Sequence, residues 1–353
     1  MALGGNLNIG LLQPTAIDNI NGKIQANGNI ILNGSSYQSS DQSYLIAQQQ
    51  LQANFSDDVT NNDQIVGGSN LTFTANSLLN GTQGLMYSGQ GNINLAVTGQ
   101  NGLSNCGNIQ ATGDNSQLSI NSSVLNNQGI ILSKNSIVIN ANQQLNNQRN
   151  QDIFGKVITQ GRDLIIDAPT INNDGLMISP ADLVITAQTV ANTGYVSADQ
   201  QLKVTAENSI VNNTAGSELI FNNQSLVSGS FIGGNLRLSA QTIQSQNGWM
   251  QGNKAINLTA NRITNTQKGV ILSTNGDVTL QGIGSTEGNI LPVASVMNND
   301  SNIQAYNRLW VATQNLDNTN GILSSDSGNI RLDYGSSGIA LQTFKNTGGH
   351  LNL

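Results

Sequence analysis

One phrase recurs along the whole chain. It reads apolar, any residue, apolar, then alanine two positions on, followed by an apolar residue, asparagine and glycine. Leu71-Thr72-Phe73-Thr74-Ala75 leads to Leu78 and Asn80, and Leu183-Val184-Ile185-Thr186-Ala187 leads to Val190, Asn192 and Gly194. Ile256-Asn257-Leu258-Thr259-Ala260 leads to Ile263, Asn265 and Gly269. A unit this short cannot bury its own apolar face. It must stack on its neighbours, so the repeat constrains the architecture before any site is considered.

The first apolar residue of each phrase serves as a phase marker. Markers fall at Leu7, Ile30, Leu51, Leu71, Ile93, Leu118, Ile137, Leu164, Leu183, Leu202, Leu219, Leu236, Ile256, Val278, Leu309, Ile330 and Leu351, with steps that average about 21.5 residues. Alanine sits four residues after the marker at Ala75, Ala141, Ala168, Ala187, Ala206, Ala240 and Ala260. Asparagine sits nine after it at Asn80, Asn127, Asn146, Asn173, Asn192, Asn265 and Asn318.

Each phase has a physical reason. The marker and the residue two later share one side of a strand, because strand side chains alternate with period two. The residues between them are mostly polar (Thr72, Asn94, Ser119, Lys203, Arg331) and belong to the solvent side. Alanine suits a corner too narrow for a larger side chain. Asparagine tolerates a left-handed turn, and its amide can also bond the asparagine one rung above. Glycine relaxes the corner that follows. Wrapping each repeat into a coil gathers all marker faces into one column, which makes the chain all-β and a parallel β-helix. About sixteen coils at a strand separation of ~4.8 Å give a rod of roughly 75–80 Å. A helix pattern is faint even at Tyr44 to Ala53, where a strand is the better reading.

Composition narrows the functional classes. A repeat array overrides the several domains that 353 residues would suggest, so 1–353 is read as a single array. Charged residues make up 9% of the chain, the net charge is −7 and no basic stripe is visible, which disfavours nucleic acid as a partner. The single Cys106 cannot form an internal disulfide. No signal peptide, membrane span or lipidation motif is present. The phrase is already in phase at Met1 to Leu7 and breaks off at Gly348 to Leu353, so the chain reads as a segment of a longer array.

Catalytic signals are scarce. Asp57-Asp58 is the one adjacent acidic pair, and Asp163, Asp167, Asp174 and Asp182 fall at different phases, so they should not converge. Arg162-Asp163 reads as an exposed turn pair. With His350 the sole histidine, neither a catalytic triad nor a histidine metal site is expected, and no cofactor is. A polysaccharide-active β-helix enzyme is therefore the weakest functional reading.

Interruptions of the repeat are better places to look for a partner. Three are expected, near 34–50, 148–161 and 281–302. The first carries Tyr37 and Tyr44, the second Phe154, and the third precedes Trp310. Trp310 lies between the inward pair Leu309 and Val311, so alternation points it outward. Val138, Ile165 and Val184 are also at outward phase and should stack into an apolar stripe next to the Phe154 insertion. Such a patch could dock a partner, or the insertions could fold back over it. Trp249 is expected at a corner or facing the interior.

The phrases Gly68-Ser69-Asn70-Leu71-Thr72-Phe73-Thr74-Ala75-Asn76-Ser77-Leu78-Leu79-Asn80 and Leu125-Asn126-Asn127-Gln128-Gly129-Ile130 closely resemble filamentous-haemagglutinin repeats. These occur in large exoproteins of two-partner secretion systems of Gram-negative bacteria, which include filamentous adhesins, haemolysin-like proteins and contact-dependent growth inhibition toxins. The resemblance covers nearly the whole chain and is weakest at Gly34 to Asp63 and at Gly282 to Asn302. It implies a right-handed, monomeric stalk, exported through an outer-membrane transporter, secreted and displayed at the cell surface. A growth-inhibition member would present a receptor-binding surface to an outer-membrane or other surface receptor on a target cell. A host-directed adhesin would differ in partner and not in fold. The Asn-Pro-Asn-Gly secretion motif, the Val-Glu-Asn-Asn toxin boundary and a nuclease-like tail are all missing, as an internal fragment would have it.

Overall fold

The computed structural model describes residues 5–10, 15–40, 42–150, 153–214, 219–337 and 341–353. The opening residues 1–4 of the first phrase lie outside them. Two compact units, Met1–Pro180 and Ala181–Leu353, divide the chain. Each is a parallel β-solenoid, and together they hold about fifteen turns. A turn consists of three short strands, as in Asn70–Ala75, Ser77–Asn80 and Leu85–Ser88, called here the first, second and third faces. Among the described residues the helical element is one 3-10 turn, Gly335–Ser337.

The markers align as the period requires. In the first unit Leu7, Ile30, Leu51, Leu71, Ile93, Leu118, Ile137 and Leu164 pair in unbroken register along the first face. In the second unit the column is Leu183, Leu202, Leu236, Ile256, Val278, Leu309 and Ile330. Two markers fall elsewhere. Leu202 pairs directly with Leu236, so Leu219 belongs to no turn and sits in an antiparallel hairpin. Leu351 pairs with Leu323 on the third face. These two account for the smaller number of turns.

Asparagine fills the second corner by a single mechanism. In the first unit Asn61, Asn80, Asn105, Asn127, Asn147 and Asn173 are all buried, and each Nδ2 donates to the Oδ1 of the next at 2.7–2.8 Å. The second amide hydrogen goes to backbone carbonyls, as from Asn80 to Gly84 and Asn108. A left-handed backbone is not involved, since the non-glycine residues with positive φ are others, such as Asn21, Asn222 and Asn320. Nor is Asn146 a rung. The strand Ser136–Asn147 carries an extra residue opposite the Ser122/Val124 step, which shifts the phase by one. Asn147 therefore points in, while Asn146 bridges Asn126 and Asn172 outside.

Glycine at the following corner is there for room. A Cβ on Gly129 would lie 2.0 Å from the Gly107 carbonyl oxygen, and one on Gly107 2.2 Å from that of Gly84. Backbones of successive turns approach too closely for any side chain.

The stretch 34–50 is no insertion. Tyr37–Ser40 and Tyr44–Ala47 are regular second-face and third-face strands, in register with Ile17–Ile20 and Lys23–Ala26. Tyr37 consequently occupies an inward position between Ile17 and Val59. It is 1% exposed, its ring centroid is 5.7 Å from that of Phe55, and Phe55 is 5.6 Å from Phe73. Its hydroxyl accepts from Asn19 Nδ2, and burial raises its pKa above 10.0. Tyr37 is a core residue and not a docking residue.

In the second unit the asparagine column is interrupted. Asn192 donates to Asn212, and Asn265 to Asn298, Asn298 to Asn318 and Asn318 to Asn346. Between Asn212 and Asn265 the rung is Ser245, too short to bridge. Ser245 Oγ and Asn265 Oδ1 are both buried without a hydrogen-bond partner. Ser245→Asn should restore the missing bonds and stabilise the chain by about 1 kcal/mol. Asn105→Ala should destabilise it by about 1–3 kcal/mol, because it strands Asn127 Oδ1 in the interior. Urea unfolding of the three proteins tests both signs, and a destabilised S245N would refute the ladder argument.

Candidate functional site

Outside the core, the interruptions build the surface features. A concavity lies in the second unit, over the first face. Its floor is two outward columns of the solenoid. One runs Lys203, Arg237, Asn257, Thr279 and Trp310 in direct register. The other, two residues along each strand, is Thr205, Ser239, Thr259 and Gln281. Ser285, Thr286, Glu287, Gly288 and Ile290 overhang them and enclose a groove of about 720 Å³.

The overhang is a narrower excursion than the expected 281–302. The chain leaves after Val278–Gln281 and has rejoined the second face by Val293–Asn299. A bond from Gly282 N to Leu291 O closes its base at 2.7 Å, and Thr286 and Asn289 exchange backbone bonds at its tip. Gly284 and Gly288, both at φ +85°, supply turns that L side chains resist.

A relay of hydrogen bonds ties this loop to Trp310. Ile290 exchanges two bonds with Ser336, its N donating to the hydroxyl and its carbonyl accepting from Ser336 N, both at 2.8 Å. Asp333 Oδ1 accepts from Gly335 N, beside Ser336, and from Trp310 Nε1, each at 2.9 Å. Arg331, ion-paired to the other oxygen of Asp333, lies 4.3 Å from the Trp310 ring centroid, and Arg308 lies 5.7 Å from it. Trp310 thus stands on the outer side of the sheet, half-buried, with one guanidinium against its face. It orders its surroundings, and part of its aromatic surface is covered by Arg331.

The groove has a charge that the linear sequence hides. Lys203, Arg237 and Arg308 line it against one carboxylate, Glu287, although the whole chain carries −7. These cations are far apart in sequence and meet only because turns stack. Arg308 is paired with Asp277 at 2.8 Å. Lys203 and Arg237 are exposed, directly opposite each other, and without an ion pair among the described residues.

The remaining expected site residues scatter. Phe154 belongs to a small hairpin, Arg149–Asn150 with Ile153–Phe154, that rises between the second and third faces; residues 151–152 of that insertion lie outside the described ones. Phe154 itself is buried at 9% exposure with Lys156 Nζ 5.5 Å over its ring, whereas Ile153 is 68% exposed. Phe154 is therefore packing, and the exposed apolar residue is its neighbour. Val138 and Ile165 are paired outward on the first face, a different side of the coil from this hairpin, so no stripe runs beside it. Val184, in the second unit, pairs with Lys203 at the groove's end. Tyr44 is half-buried on the third face with Lys23 Nζ 5.6 Å above its ring. Trp249 also faces outward, its Nε1 donating to Gln251.

One further excursion is hidden by the repeat. Leu219–Phe221 and Gln224–Leu226 form a hairpin turned by Asn222 and Asn223 at φ 50° and 60°. Adjacent asparagines flanked by strand residues are a two-residue hairpin signal, masked here because Leu219 happened to lie near marker spacing. Ile220 and Val227 are 59% and 54% exposed. Among the described residues no three of His, Cys, Asp and Glu lie close enough together to hold a metal ion.

Because Trp310 holds Asp333, and Asp333 helps to hold Ser336, Trp310→Ala should loosen the overhang more than the solenoid. Amide exchange at 282–291 should accelerate clearly, while the unfolding free energy falls by only about 1–2 kcal/mol. Unchanged protection of the loop would show that the relay does not anchor it.

No protein-family model, no curated protein and no solved structure matches this chain.

Proposed function

We propose that this chain is a non-catalytic β-helical stalk and binding segment of a large secreted bacterial surface protein of the contact-dependent growth inhibition type. Three things support the reading: the resemblance of its repeats to filamentous-haemagglutinin repeats, the in-register parallel turns, and an outer surface on which binding features come from excursions. The groove beneath 282–292 carries most of the weight. A solenoid turn by itself presents flat polar columns, and here an excursion is anchored so that a concave, charged surface faces outward. A spacer has no use for that anchoring.

In this reading the chain is exported unfolded, its turns stack without a cofactor, and they then hold the groove away from the producing cell. The partner is a surface component of a neighbouring bacterium. The test is direct binding of the fluorescently labelled chain to Gram-negative cells and to epithelial cells. Saturable binding to the bacteria is expected. Binding confined to epithelial cells would replace the reading with a host-directed adhesin, and binding to neither would reduce the segment to a spacer.

A further inference from the structure

The groove's chemistry names a class of ligand. Lys203 and Arg237 face each other across adjacent strands, where like charges repel, and neither has an ion-paired carboxylate among the described residues. Such a pair costs stability in the empty protein. In a chain with only thirteen Lys and Arg among 353 residues, two of them side by side in one groove call for an anion. Arg308 adds a third positive charge farther along the groove, laid beside Trp310 and Asp277.

Four features separate the kinds of polyanion. The groove runs across the turns, so its polar groups recur at the strand spacing of about 4.8 Å, a repeat comparable to one sugar of an extended polysaccharide. Between the cations the floor displays hydroxyls and amides, namely Thr205, Ser239, Asn257 and Thr259, which suit a ligand carrying hydroxyls. The first-face strands beneath are paired on both sides, which leaves a peptide no free edge there for strand addition. A single-stranded nucleic acid would stack its bases on aromatic faces, and the one aromatic residue lining this groove, Trp310, has a face covered by Arg331.

We infer that the groove binds an acidic polysaccharide lying across the turns, its carboxylates held by Lys203, Arg237 and Arg308 and its hydroxyls by the Thr205–Ser239–Thr259 column. Glu287, on the overhang, faces this run of cations and favours a chain of spaced rather than continuous charge. The inference takes the groove to be a binding surface, as the reading above does, and adds what occupies it.

The experiment uses the whole chain with oligogalacturonate, neutral dextran and polyglutamate as probes, measured by calorimetry at low and high salt. Oligogalacturonate should bind, and dextran should not. The double variant Lys203→Gln/Arg237→Gln should lose about tenfold or more in affinity, while Arg162→Gln, an exposed charge in the other unit, should bind like the parent. Without ligand, Lys203→Gln should unfold no earlier than the parent, because it relieves a repulsion. Equal binding of polyglutamate, or a double variant that binds normally, overturns the inference. Absence of oligogalacturonate binding in a chain that still attaches to bacteria also overturns it and leaves the surface reading intact. Oligogalacturonate binding without attachment to any cell supports the inference and removes the surface reading.

Discussion

The buried asparagine column is the interaction on which the rest of the structure depends. Burial of one face forbids a one-residue slip between parallel strands, but a slip of two residues keeps apolar residues facing inward, so burial alone leaves that alternative open. An amide that must donate to the amide above and accept from the one below admits one alignment. From Asn61 to Asn147 each rung donates to the next, and its remaining hydrogen satisfies a corner carbonyl. A sliding turn would leave several of these groups buried and unpaired, at about 1–3 kcal/mol each. The glycine column follows from the same constraint, since turns held this close leave no room for a Cβ at the corner.

With register fixed, the outer positions are free of the core. Alternation hands every second residue of each strand to solvent, and stacking then places residues from distant parts of the chain in one column. Lys203, Arg237 and Trp310 come to share one column in this way. Their composition is not set by packing, which is why a charge pattern can be written there without cost to the fold beyond its own repulsion.

The legible and illegible parts of the sequence divide along that line. Period two and the roughly twenty-residue repeat are imposed by the core, so markers such as Leu71, Ile93 and Leu118 could be read directly and pair as read. The pattern misleads where a local event shifts the phase. One extra residue in Ser136–Asn147 moved the rung from Asn146 to Asn147, and a hairpin imitating half a turn disguised Leu219. Tyr37 misled for another reason. A large aromatic in a repeat of small and aliphatic residues looks like a surface feature, yet it fills the interior beside Phe55 and Phe73. The groove was the least legible of all, because a site assembled from one outward residue per turn has no local motif.

A repeat also explains why the groove needs its overhang. Outward columns on a parallel coil are nearly flat, and a flat polar surface stays hydrated and binds weakly. Concavity requires an excursion, and an excursion without anchorage would pay its ordering entropy on binding. Here that ordering is supplied in advance. Trp310 fixes Asp333, Asp333 holds the turn that carries Ser336, and Ser336 holds both backbone groups of Ile290. The tryptophan that looked like a contact residue is thus more valuable as a post, and the contacts fall to the cations and hydroxyls that it helps to enclose.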